Sequence, residues 1–144
     1  MKITVKQSAI NEAYAVLRTA KIAKFDLKDQ KALFAISRVL RPLVDQFNTD
    51  AEDIRKRLQP EGWEDVQPLA EKVAARVATK EEMQTYAEKA VPYINAVNKH
   101  IADLENEAVE VEVGEIDEAL ALKMLDASDW DISALNALDF LIQK

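Results

Sequence analysis

Cysteine is absent from this 144-residue sequence, which also contains only one histidine and two glycines. Without cysteine there is no disulfide framework, no thiolate nucleophile and no cysteine-based zinc site. The two isolated glycines, Gly62 and Gly114, do not build the glycine-rich phosphate loops of nucleotide-binding folds. We therefore predict a protein that is not an enzyme and that has no metal or cofactor site.

Long apolar runs are also missing. No stretch approaches the roughly 18 apolar residues of a membrane span, and residues 2–6 alternate in character instead of forming the apolar core of a signal peptide. Apolar residues make up 49% of the sequence and charged residues 31%, as in ordinary globular proteins. We expect one domain over residues 1–144 that is cytoplasmic and has no membrane partner.

Two short stretches alternate between apolar and charged residues. Residues 2–6 read Lys-Ile-Thr-Val-Lys and residues 109–113 read Val-Glu-Val-Glu-Val. Pairing them sets Lys2 and Lys6 opposite Glu110 and Glu112, while the valines cover the apolar side of the first strand. Because a two-stranded ribbon is only marginally stable alone, it must pack against a helix.

Helical periodicity dominates the rest of the sequence. Ser8 is a suitable N-cap for a first helix, and Thr79 with Glu82 fits a capping box that opens another. Residues 116–125 form an apolar segment, which we interpret as a loose turn or a short helix. Ser128, followed by Asp131 at the third position, opens a last helix. The first helix is predicted to extend to about residue 23, and two further helices are predicted over about residues 27–58 and 64–77.

Two of these helices are long and carry continuous apolar edges. Apolar residues recur in steps of three or four from Leu33 to Leu58, and again from Met83 to Leu104. Such near-heptad edges favour side-by-side packing, here over nearly the whole length of about 48 Å at 1.5 Å per residue. The sequence thus predicts a mainly α fold, an antiparallel bundle of two long helices with shorter helices and a small ribbon.

Possible metal ligands have a simpler interpretation. His100 lies on a predicted helix with Asp103 and Glu107, but a second cluster and a spacing such as H-E-x-x-H are absent. Asp126, Asp129 and Asp131 lack the glycine and the bidentate glutamate of a calcium loop. We interpret the histidine as a surface residue and the aspartates as helix caps.

Charge is distributed unevenly along the chain. Residues 1–59 carry 12 basic and 7 acidic side chains, a net charge of +5, whereas residues 60–144 carry 7 and 19, a net charge of −12. The basic first part can follow a phosphate backbone, but the net charge of −7 opposes a nucleic-acid role. The acidic part can imitate nucleic-acid phosphates, or it can be a solvated surface.

Both tryptophans fall at predicted junctions between elements and have polar neighbours. An exposed tryptophan at such a junction is a binding anchor, whereas a buried one plugs the end of a bundle. The predicted partner-binding set combines these tryptophans with acidic residues of the second strand and of the start of the last helix. Its members are Trp63, Trp130, Glu110, Glu112, Asp129 and Asp131.

The order of these features resembles small phage- and prophage-encoded helical proteins of Gram-positive bacteria. The resemblance is carried by Val109–Ile116 and by Ala127–Ile142, about a sixth of the chain. That group has no agreed activity, so the likeness implies a viral setting and an assembly or host-interaction role, and it carries over no site residue.

These observations favour a non-catalytic protein-interaction protein, an adaptor or assembly protein that associates with itself through its long helices. One alternative is an acidic inhibitor that occupies the basic groove of a host enzyme. A small enzyme is the third alternative, although nucleophile, metal and phosphate signatures are all missing.

Overall fold

The computed structural model describes residues 1–143 and contains the predicted ribbon; Lys144 lies outside the described residues. Strand β1 (Lys2–Lys6) pairs antiparallel with strand β2 (Ala108–Glu112), and Ile3 stands opposite Val111. These two side chains, together with Val5 and Val109, pack against the core. The predicted ribbon is confirmed, although β2 begins and ends one residue earlier than 109–113.

The charged face of the ribbon differs from the prediction. Lys2 stands opposite Glu112, and its Nζ lies 2.9 Å from Oε1 of Glu110, which is the diagonal neighbour. Lys6 stands opposite Ala108, so its predicted pairing with an acid is wrong. Because Lys2 and Glu110 are both largely exposed, their ion pair contributes at most about 1 kcal/mol. The buried apolar face is the stronger reason for the pairing.

Helices make up most of the described chain, and two of them are long, which confirms the mainly α fold. The first helix ends at Leu17, not near Ala23, and its N-cap is Lys6 without a side-chain cap. Ser8 therefore does not cap it. The helices are α1 (Gln7–Leu17), α2 (Leu27–Leu58), α3 (Trp63–Ala74), α4 (Lys80–Glu105), α5 (Glu118–Ala127) and α6 (Ile132–Ala137), followed by a 3₁₀ turn (Asp139–Leu141).

The described chain divides into two compact units. Unit 1 comprises Met1–Asn48 and the chain from Glu105 onward, and unit 2 comprises Thr49–Leu104. The core of unit 1 combines the ribbon, α1, the first part of α2 and the C-terminal helices. Its most deeply buried side chains are Ile10, Ile36, Leu40, Ile116, Met124, Leu138 and Leu141.

The apolar edge of α2 is shared between the two units. Leu33, Ile36 and Leu40 are buried in the core of unit 1, whereas Ala51 and Ile54 are buried within the range of unit 2. The expectation of one continuous interface between the two long helices is therefore wrong for the first half of α2. Periodicity identifies a buried edge but does not identify what covers it.

Within unit 2, the ring of Trp63 at the start of α3 contacts the ring of Tyr93 on α4, with centroids 4.5 Å apart. The Tyr93 hydroxyl donates a hydrogen bond to the carbonyl of Arg55 (2.8 Å). The predicted capping box is confirmed, because Thr79 and Glu82 each accept a bond of 3.1 Å from the other's amide. A hydrogen bond from Lys72, together with the bond from the Thr79 amide, lowers the pKa of Glu82.

The C-terminal segment folds back into unit 1. The carboxylate of Asp117 accepts a hydrogen bond from the Leu120 amide (2.8 Å) and caps α5, so the apolar segment 116–125 is largely helical. The Ile116 amide donates to the Leu141 carbonyl, and the Gln143 amide donates to the Ile116 carbonyl, both at 2.7 Å. These bonds hold the end of the chain beside the segment that follows β2.

Candidate interaction site around Trp130

A shallow depression in unit 1 lies between α1, α6 and the segment that joins α5 to α6. Its volume is about 620 Å³, and it is broadly open to solvent. Three of the six predicted partner-binding residues, Asp129, Trp130 and Asp131, line it. Its other lining residues are Glu12, Ala15, Val16, Thr19, Ser133, Ala134 and Ala137.

Trp130 forms a wall of this depression and is held by hydrogen bonds on two sides. Its indole Nε1–H donates to Oγ1 of Thr19 (2.9 Å), and the Thr19 hydroxyl donates to the carbonyl of Val16 (2.8 Å). The Trp130 amide donates to the carbonyl of Leu125 (3.1 Å). The polar end of the ring is thus satisfied within the fold, and the half-buried ring is available for packing.

Ser128 joins the same segment to the residues that follow α1. Its hydroxyl accepts a hydrogen bond from the Lys21 amide at 2.9 Å, and the serine is only 8% exposed. The prediction that Ser128 caps the last helix is wrong, because α6 begins at Ile132 and its N-cap is Asp131. The Lys21–Ser128 and Thr19–Trp130 bonds together join two parts of the chain more than 100 residues apart.

Asp131 is the N-cap of α6, so the capping interpretation is confirmed for this residue, although the sequence placed it at the third position after Ser128 and not at the cap itself. Its carboxylate accepts hydrogen bonds from the Ser133 amide (2.9 Å) and from the Ser133 hydroxyl. The Ser133 hydroxyl is the main cause, and the Ser133 amide the second, of a pKa of Asp131 that lies below its ordinary value. The carboxylate is therefore ionised at neutral pH.

Asp129 adopts a left-handed backbone conformation, with φ of 54°. Aspartate tolerates this region better than most residues because its short polar side chain can bond locally. The turn follows α5, and Asp129 and Asp131, which flank Trp130 in the sequence, both line the depression. Both carboxylates are exposed.

The lining combines an apolar floor with an acidic rim. Ala15, Val16, Ala134 and Ala137 supply small apolar groups. The charged residues that line the depression in the described chain are all acidic, namely Glu12, Asp129 and Asp131. Such a surface can accept an apolar group that carries positive charge at its outer end.

The remaining candidate residues lie elsewhere. Trp63 belongs to unit 2, and Glu110 and Glu112 lie on the outer face of the ribbon, so neither set lines the depression. His100 is exposed on α4. Within residues 1–143, no group of three or more His, Asp or Glu side chains could hold a metal ion. No helix in this range combines the length and the hydropathy needed to cross a membrane.

Sequence reasoning missed the α1 side of the depression. Glu12, Ala15 and Thr19 recur at steps of three and four along one side of the chain, but exposed alanines and a single glutamate on a helix carry no functional signal. The predicted extension of the first helix to residue 23 also concealed the turn that presents Thr19.

No protein-family model, curated protein or solved structure matches this chain. The arrangement of residues around Trp130 is therefore the basis for the assignment of function.

Proposed function

We propose that this protein is a non-catalytic protein-interaction protein that binds a partner through the Trp130 depression. The observation that carries the proposal is a fixed tryptophan beside a small apolar floor. Tryptophan is enriched among the residues that dominate binding energy at protein interfaces. Because hydrogen bonds already hold the ring in place, binding does not require the tryptophan to become ordered.

The shape of the depression favours a protein partner over a small substrate. Small-molecule sites are concave and enclose most of the ligand surface, whereas this depression is shallow and open. A protein partner covers such a surface with neighbouring contacts and excludes water from its centre. The proposed function is therefore to recognise another protein by a side chain that projects from that protein into the depression.

Filling the depression tests this function. Ala15→Phe places a ring over the floor from an exposed position on α1, and Ala32→Phe makes the same change at an exposed position of α2 that does not line the depression. We expect Ala15→Phe to weaken binding to the partner at least about tenfold, since it blocks a central contact. The Ala32→Phe variant should bind like the wild type.

The measurement is quantitative affinity enrichment from extracts of the cells in which the protein occurs, followed by titration of each purified candidate. A partner that the wild type and Ala32→Phe bind equally, and that Ala15→Phe does not bind, supports the function. If every enriched protein binds Ala15→Phe as tightly as the wild type, the depression is not the interaction site.

Self-association is a second candidate function, and its support is an exposed apolar stripe on α4 in unit 2. Met83, Val91 and Ile94 are 47%, 44% and 39% exposed, and their spacing places them on one side of the helix. Exposed apolar patches mark contact surfaces. Val91→Glu should shift a concentration-dependent sedimentation coefficient towards the monomer, whereas Thr85→Glu adds the same charge at an exposed polar position on the other side of α4 and should not. A wild type that sediments as a monomer at all concentrations contradicts self-association.

The setting of this function is also a proposal. The likeness of Val109–Ile116 and Ala127–Ile142 to phage and prophage proteins supports a viral adaptor or assembly role in the host cytoplasm. The second of these segments contains Trp130 and Asp131, so the segment that carries the likeness also contributes to the depression.

A further inference from the structure

We propose that the group that occupies the Trp130 depression is a lysine or arginine side chain from a basic segment of the partner. This inference rests on the proposed function and names the chemistry of the partner. It depends on the coincidence of three features, which are the apolar floor, the tryptophan wall and the acidic rim.

The floor suits the aliphatic part of a long basic side chain. Ala15, Val16, Ala134 and Ala137 present methyl groups and no ionisable group. Lysine and arginine bury their methylene stems against such surfaces while the charged end stays at the rim. A short polar side chain or an acidic side chain gains nothing comparable from this floor.

The rim attracts a positively charged end. Glu12, Asp129 and Asp131 line the depression and are exposed, and the ion pairs found within residues 1–143 involve none of these three carboxylates. Arg18 is the basic residue nearest in sequence to Thr19, but its guanidinium lies over the ring of Tyr14, at 6.0 Å from the centroid. The negative potential at the rim is therefore available to a partner's cation.

The indole of Trp130 adds a further preference for a cation. Because its N–H already donates to Thr19, the ring can contact a ligand through its face and its edge. A cation near the face of tryptophan is attracted by the ring quadrupole, and tryptophan is the best aromatic partner for this contact. Nucleic acid is not the expected ligand, because the acidic rim repels its phosphates.

The test uses both tryptophans as reporters in one spectrum. The indole N–H resonances of Trp130 and Trp63 are followed by NMR while a synthetic peptide is added, in which lysines alternate with alanines between glycine-serine flanks. We expect the Trp130 resonance to shift in a saturable manner and the Trp63 resonance, which belongs to unit 2, to stay in place. A norleucine peptide keeps the aliphatic stem of lysine without its charge, and a glutamate peptide reverses the charge. Both should bind at least about fivefold more weakly than the lysine peptide.

Charge-neutral variants provide the matched comparison. Asparagine keeps the capping ability of Asp131 and tolerates the backbone conformation of Asp129, so the substituted protein should fold like the wild type. The triple substitution Glu12→Gln, Asp129→Asn and Asp131→Asn should weaken binding of the lysine peptide about tenfold. The control removes the same amount of charge from unit 1 outside the depression by Glu107→Gln, Glu115→Gln and Glu118→Gln.

Two outcomes would show that the lysine peptide responds only to overall acidity and would overturn the inference. One is an equal loss of peptide affinity in both triple variants, and the other is an equal shift of both indole N–H resonances. Binding of the norleucine peptide as tight as that of the lysine peptide overturns it as well. The proposed function is tested separately. If Ala15→Phe abolishes binding of a natural partner and the three rim substitutions do not affect it, the depression remains the interaction site and only the inference of a lysine or arginine side chain fails. Binding of a second copy of this chain in the depression would appear as self-association abolished by Ala15→Phe and would also overturn the inference.

Discussion

Ile36→Ala is expected to lower the free energy of unfolding of unit 1 by about 2–5 kcal/mol. Ile36 is 1% exposed and lies in the core that α2 forms with the ribbon, α1 and the C-terminal helices. Its Cγ1 approaches the backbone at Gly114, where an added Cβ would lie 3.9 Å away. Removal of the side chain eliminates buried apolar contacts and leaves a cavity that a packed interior refills only in part.

The matched control for Ile36 lies two residues away on the same helix. Phe34 is 64% exposed, so Phe34→Ala should change the free energy of unfolding by less than about 0.5 kcal/mol. Both variants are compared by urea denaturation in a Trp63→Phe background, in which Trp130 fluorescence reports on unit 1. Equal effects of the two substitutions would show that the buried edge of α2 has been assigned to the wrong side.

Ser128→Ala is the substitution with the next largest expected effect, a loss of about 1–3 kcal/mol. The serine hydroxyl is the acceptor for the Lys21 amide in a partly buried hydrogen bond, and alanine offers no acceptor in its place. The cost is the desolvation of an unsatisfied donor and not the loss of a helix cap, because Asp131 caps α6. Hydrogen exchange of the Lys21 amide should therefore accelerate in the variant.

Ser8→Ala is the control for this substitution. Ser8 is the other serine that the sequence predicts as a cap, but α1 has no side-chain cap. Its replacement should change stability by less than about 0.5 kcal/mol and leave Lys21 exchange unaltered. If Ser128→Ala left Lys21 protected as in the wild type, the hydroxyl would not be its acceptor.

The Ser128 bond also bears on the proposed interaction site. Lys21 follows Thr19 by two residues, and Ser128 precedes Trp130 by two, so the two hydrogen bonds lie side by side and hold the wall of the depression. Loss of the first bond should loosen the second. A site held in this way is preorganised, which reduces the entropy that binding must overcome.

Local chemistry in the sequence was sufficient for much of the secondary structure. The alternation of Lys2–Lys6 predicted β1, the apolar steps predicted α2 with its observed bounds, and Thr79 with Glu82 predicted a capping box that forms. Each depends on neighbours within a few residues, where steric preference and short-range hydrogen bonding act before any tertiary contact.

The sequence by itself thus determined a mainly α chain with a ribbon and two long helices, because periodicity and caps are local properties. Only the tertiary structure decided that the edge of α2 is shared between two units, that the Ser128 hydroxyl accepts from Lys21 instead of capping a helix, and that Trp130 bonds to Thr19 in the turn after α1. These outcomes depend on which distant segments meet, since apolar burial has no direction and a hydroxyl accepts from whichever amide comes within reach.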